Sequence, residues 1–123
     1  MTSMSKLLVV EDELEVMDYL KDYFSHQGVE VSTANSGEAG LKILTDQKPD
    51  VVLLDMKLGA GISGLEFLRR AKAAGAKSQI IVVTAVDDDN VATMAKGLGA
   101  VDYVTKPLTL ADIERVVLSR LKK

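Results

Sequence analysis

Cysteine is absent from this 123-residue chain, which removes disulfides and thiolate metal sites from consideration. Tryptophan is absent too, aromatics make up 4%, and prolines number two, so neither a base-stacking surface nor a disordered proline-rich chain is on offer. Neither charge sign dominates. With 15 Lys and Arg against 18 Asp and Glu the net charge is −3, and no basic excess points to nucleic acid or an anionic membrane. No apolar run approaches the length that spans a bilayer, and the opening MTSMSK has no signal-type apolar core. These absences predict a cytoplasmic protein of one domain, residues 1–123, long enough to bury a core without staples.

What is present is alternation. Continuous apolar runs KLLVV (6–10), DVVLL (50–54) and QIIVV (79–83) read as strands buried on both faces. VEVSTA (29–34) and VDYV (101–104) are mixed and read as strands with one wet face. Between them lie helical periodicities. Val16, Leu20, Tyr23 and Phe24 mark a helix over 13–27 that Gly28 stops, and Ser36 caps a second helix with Leu41 and Leu44 inward. SGLEFLRRAKAA (63–74) ends at Gly75, and Val91, Met94, Ala95 and Leu98 make the next stripe, closed by Gly97 and Gly99. The last helix carries Leu110, Ile113, Val116, Val117 and Leu121. Five βα units predict an α/β fold with a parallel sheet covered by helices on both faces. Placing the three apolar strands inside, with right-handed crossovers, gives the order 2-1-3-4-5 and five helices.

In such sheets a ligand sits beyond the carboxyl ends of the strands, near the switch between strands 1 and 3. Glu11 and Asp12 follow strand 1, Asp55 follows strand 3, Thr84 ends strand 4, and Lys106 with Pro107 follows strand 5. Residues spread from position 11 to 106 are thereby predicted to share one rim. Three carboxylates a few ångströms apart repel by roughly 3 kcal/mol per pair at ~5 Å and an effective dielectric of ~20. Such a cluster needs a proton or a cation, and hard oxygen ligands suit Mg2+, or Mn2+ in its place. Lys106 and Thr84 add the ammonium and hydroxyl that phosphoryl oxygens require, so in-line attack by Asp55 on phosphorus is the chemistry these groups fit.

The segments VVEDE (9–13), VVLLDMKL (51–58), SGLEFL (63–68), IIVVTA (80–85) and DYVTKP (102–107) resemble the receiver domain of bacterial two-component response regulators. The resemblance covers essentially the whole chain and is specific as an ordered set. It implies the flavodoxin-like doubly wound sheet with strand order 2-1-3-4-5. It implies that Asp55 accepts a phosphoryl group from a sensor histidine kinase or phosphotransfer protein, and that Glu11, Asp12, Asp55 and the Lys57 carbonyl hold Mg2+. Thr84 would bond a phosphoryl oxygen, Lys106 would pair with the phosphate, and Tyr103 would turn inward as the switch aromatic. The face of helix 4, strand 5 and helix 5 would then be read by an output protein or domain. The resemblance further implies a cis Lys106–Pro107 bond, and a signalling phosphoprotein that promotes its own phosphorylation and dephosphorylation without being an enzyme in its own right.

Two departures stand out. The loop KLGAGISG (57–64) after Asp55 lacks the proline usual in the family, is glycine-rich and is one residue longer. Lys57 and Val86 occupy the positions two past Asp55 and Thr84, which flank the path of the hydrolytic water in the family. Valine cannot hydrogen-bond a water, so slow self-dephosphorylation is expected.

Taken singly, each residue has an ordinary reading. Asp55 could be a turn residue, Thr84 a strand residue, Lys106 a solvated charge and Tyr103 half-buried packing. Asp12 is expected to cap the first helix as well, with Glu15 completing a capping box. His26 is expected to be solvated, and the run Asp87-Asp88-Asp89 to favour the start of helix 4. A flavodoxin-like electron carrier shares the topology, but EDELE after strand 1 would repel a flavin phosphate. An aspartate-nucleophile phosphatase would want an aspartate where Lys57 stands.

Overall fold

The β-branched and leucine-rich runs form five parallel strands in a computed structural model that describes residues 5–59, 61–85 and 89–121. In chain order the elements are β1 (Lys6–Val10), α1 (Leu14–His26), β2 (Glu30–Ala34), α2 (Gly37–Gln47), β3 (Val51–Asp55), α3 (Gly64–Ala73), β4 (Gln79–Thr84), α4 (Asp89–Gly97), β5 (Asp102–Thr105) and α5 (Leu110–Leu121). The sheet order is β2-β1-β3-β4-β5, with the three strands built on continuous apolar runs in the interior as expected. An interior strand has a helical layer on either side and no wet face, so its middle positions must be apolar and polar residues (Lys6, Asp55, Gln79, Thr84) stand only at strand ends. β2 and β5 lie at the edges, which their mixed composition allows.

Alternate residues along each strand enter opposite cores. Leu7 and Val9 of β1 join Leu20 and Phe24 of α1 and Ile113, Val116 and Val117 of α5 on one face. Leu8 and Val10 join Leu44 of α2, Phe67, Leu68 and Ala71 of α3 and Ala95 of α4 on the other. Helices α1, α3 and α4 end alike. A glycine in the left-handed region (Gly28, φ 81°; Gly75, φ 73°; Gly99, φ 104°) turns the chain. The next amide then reaches back to the helix, Val29 N–H to the Phe24 carbonyl, Ala76 to Ala71 and Ala100 to Ala95.

Three expectations are corrected. The apolar stripe of α4 is displaced: Ala92 and Ala95 are buried, whereas Met94 is 47% exposed and Val91 and Leu98 are only half-buried. Two alanines fit this helix against the sheet, and their small side chains made the larger neighbours look like the inward face. Asp12 does not cap α1. Glu13 holds that position without a side-chain hydrogen bond, and Asp12 turns to the loop after β3 instead. Strand β3 runs from Val51 to Asp55 where the sequence predicts 50–54, so Asp55 lies inside the ladder opposite Val83, while Thr84 ends β4 as expected, opposite Thr105. Val86, Asp87 and Asp88, about which the sequence raised expectations, lie outside the described residues. Asp89 does open α4, and His26 is exposed with its Nδ1 2.8 Å from the Asp22 carbonyl oxygen.

Candidate functional site

Parallel strands in one register bring their carboxyl ends to a common edge, so the groups that terminate β1, β3, β4 and β5 meet there. Asp55, the last residue of β3, is 2% exposed; Glu11, just past β1, is 4% exposed, and Thr84, the last residue of β4, is 3% exposed. They are the buried polar or charged side chains among the described residues, and all three lie at this one edge. Asp12 is exposed at the rim, and Lys106 is half-buried just past β5. The Lys106–Pro107 bond is cis, as the family resemblance implied.

The carboxylates are individually addressed. The Lys106 ammonium lies 3.2 Å from Asp55 Oδ2. The Lys57 amide donates to Asp55 Oδ1 at 2.9 Å, locking the carboxylate by a turn two residues long. The Glu13 amide donates to Glu11 Oε2 at 3.0 Å, and the Gly59 amide donates to Asp12 Oδ2 at 2.8 Å. These backbone donors were not legible in the sequence, because any residue carries an amide and only the turn decides where it points.

One carboxylate oxygen each from Glu11, Asp12 and Asp55 lie within 4.8 Å of one another. Burial pushes the Glu11 carboxyl up to about 7; the Glu13 amide opposes this, the Asp55 carboxylate adds to it, and Lys106 offsets a little. With all three acids ionised, three carboxylates and one ammonium leave a net charge of −2, which a divalent cation would neutralise. The donor set is all oxygen, with neither histidine nor cysteine, and so it fits Mg2+ or Mn2+. Of the residues predicted for the site, Tyr103 is not at this cluster. It sits on β5 opposite Val82, 39% exposed, with Lys96 Nζ 5.0 Å from its ring centroid.

Comparison with known proteins agrees with the geometry. A family model described as the response regulator receiver domain matches residues 7–118. The chain is 33% identical over 112 residues to sporulation initiation phosphotransferase F of Bacillus subtilis, covering 91% of this chain and 90% of that protein. It is 33% identical over 122 residues to the regulatory protein AtoC of Escherichia coli, covering 99% of this chain but only 26% of that longer protein. Among solved structures, a response regulator receiver domain protein from Clostridium thermocellum superposes with a TM-score of 0.87 at 32% identity, over 96% of this chain and 94% of that one. No helix among the described residues is long and apolar enough to cross a membrane. A parallel sheet of order 2-1-3-4-5, an acidic cluster at its carboxyl edge and a family match over nearly the whole chain lead to one assignment: the chain belongs to the response regulator receiver domain family of two-component systems.

Proposed function

We propose that Asp55 is the phosphoacceptor of this receiver domain and takes a phosphoryl group from the phosphohistidine of a sensor kinase or phosphotransfer protein. One observation carries the reading: a carboxylate 2% exposed, with an ammonium at 3.2 Å and two further carboxylates close by. Capping the turn through the Lys57 amide accounts for one Asp55 oxygen, but not for two further acids gathered beside a buried carboxylate, which costs stability unless a ligand uses it.

Asp55 is held by the Lys57 amide and by Lys106, so its free lone pairs address a phosphorus approaching from the rim. One Asp55 oxygen forms the new O–P bond while the P–N bond of the donor breaks, and the imidazole leaves with the electron pair. Glu11, Asp12, Asp55 and the Lys57 carbonyl would hold Mg2+ or Mn2+, which supplies charge neutralisation for the phosphoryl oxygens when bound. Lys106 neutralises a further oxygen, and the Thr84 hydroxyl donates to another once the group is attached. The added charge of about −2 draws Thr84 toward it. Tyr103 then turns from its exposed position beside Lys96 into the space released, altering the face of α4, β5 and α5 that an output partner reads. The Bacillus subtilis relative is named a phosphotransferase, which accords with this chemistry. A flavin carrier is disfavoured, because Glu11 and Asp12 occupy the place where it would bind an anionic phosphate.

Intact-mass measurement after incubation with acetyl phosphate and Mg2+ tests the assignment. The wild type is expected to gain one phosphoryl unit and Asp55→Ala none. Labelling that persists in Asp55→Ala would remove Asp55 from this role.

A further inference from the structure

The loop after β3 carries no proline, yet it is fixed at both ends by carboxylates from other elements. On one side the Gly59 amide donates to Asp12 Oδ2. On the other the Ile62 amide donates to Glu38 Oε2 at 3.0 Å, across 24 residues of sequence. Glu38 stands in the first turn of α2, whose start is itself fixed: the Ser36 hydroxyl accepts from the Ala39 amide. Gly40 presses the same helix onto β1, where a Cβ would lie 2.8 Å from Val10 and 3.1 Å from Phe67. Glu38 itself is exposed, but the helix turn that carries it is held in place.

Glycines on both sides let the loop and its anchors come close. Gly61 has φ 81°, and a Cβ there would collide with Glu38 Oε1. A Cβ on Gly37 would collide with Ile62 Cγ1, so Ile62 seats directly on the first turn of α2. A Cβ on Gly59 would lie 2.7 Å from Asp12 Oδ2. Gly59 and Gly61 thus bring the loop backbone up against the two carboxylates, where a Cβ would have to push the clamping oxygen aside, and Gly37 does the same for Ile62 from the side of α2.

We propose that Glu38 is a positioning residue for the cation site: its carboxylate clamps the Ile62 amide and so holds the loop that carries Lys57 and Gly59 against Glu11, Asp12 and Asp55. It replaces, by a side-chain contact from α2, the stiffness a proline in the loop would give. This rests on the reading of the rim as a cation-dependent phosphoacceptor site. A loop free to lift would take the Lys57 carbonyl and the Gly59 amide with it and lower the occupancy of the cation site.

The test compares wild type with Glu38→Ala, Glu38→Gln and Ser36→Ala by two readouts. The first is amide hydrogen exchange in the metal-free protein, and the second is Mg2+ affinity by calorimetry. In Glu38→Ala the Ile62 amide is expected to exchange about tenfold faster and Mg2+ to bind about tenfold more weakly, the lower end of what supporting residues around a metal contribute. Glu38→Gln keeps an acceptor oxygen and is expected to restore most of both. Ser36→Ala weakens the start of α2 without removing the clamp and is expected to leave Mg2+ affinity within about twofold of wild type. Exchange and affinity unchanged in Glu38→Ala, or an equal loss in Ser36→Ala, would overturn the clamp while leaving Asp55 as phosphoacceptor. A wild type that binds no Mg2+ and takes no phosphoryl group from acetyl phosphate would overturn both.

Discussion

At the scale of single residues, Glu11 converts the crowding of acids into a measurable slope. Its carboxyl is raised from 4.5 to about 7, chiefly by burial, so the folded protein prefers it protonated. Its contribution to stability is therefore complete below about pH 4.5 and is lost as pH climbs through about 7. The loss is at most about 3 kcal/mol. Metal-free protein is expected to become less stable over that window and Glu11→Gln to flatten the decline, which urea titrations at about pH 5 and pH 8 would measure. A slope unchanged in the variant would dissociate Glu11 from it. The family resemblance puts Val86, two past Thr84, beside the path of the hydrolytic water, and an expectation about the reverse reaction follows. An apolar side chain there would offer that water no base or acceptor, so on the proposed reading Val86→Glu is expected to shorten the phosphoryl lifetime severalfold, read as decay of the phosphorylated mass. A longer lifetime would refute the role.

At the scale of elements, glycines of two kinds shape the helices. Gly28 has φ 81°, and a Cβ added there would meet nothing within 4 Å, so only its backbone conformation resists substitution. Gly28→Ala is expected to cost about 1 kcal/mol. Gly40 lies inside α2, where alanine would be the better helix former by about 1 kcal/mol. A Cβ there would nonetheless strike Val10 and Phe67, and Gly40→Ala is expected to destabilise by more than Gly28→Ala. Chemical denaturation of the two variants decides the order, and a stabilised Gly40→Ala would show that α2 can lift from β1. The periodicities that announced the helices were read correctly where a large residue faced the core, as with Leu20, Phe24 and Phe67. They misled in α4, where alanines carry the contact and Met94 faces solvent.

At the scale of the whole molecule, the proposed cation site would link folding to cation binding, because its acids come together only in the folded chain. A cation that binds only the folded form stabilises it by about 2.7 kcal/mol at a hundred times its dissociation constant. Added Mg2+ is expected to raise the melting temperature by several degrees at pH 7.5. In Asp55→Asn the metal-free protein is expected to be more stable and the response to Mg2+ to be largely gone, both visible by differential scanning calorimetry. Equal Mg2+ responses in the two proteins would place the cation elsewhere.

The sequence by itself determined the five strands, their order and the residues at the carboxyl edge, because burial on two faces demands continuous apolar runs and a parallel register then aligns their ends. Asp55 could be located for the same reason: it directly follows the innermost run. Only the tertiary structure decided that Asp12 binds the loop after β3 instead of capping α1, that Glu38 reaches Ile62, and that Tyr103 lies beside Lys96 on the surface. Those outcomes depend on which amide or ring a side chain meets across tens of residues, and neither periodicity nor composition encodes a meeting between two separately folded turns.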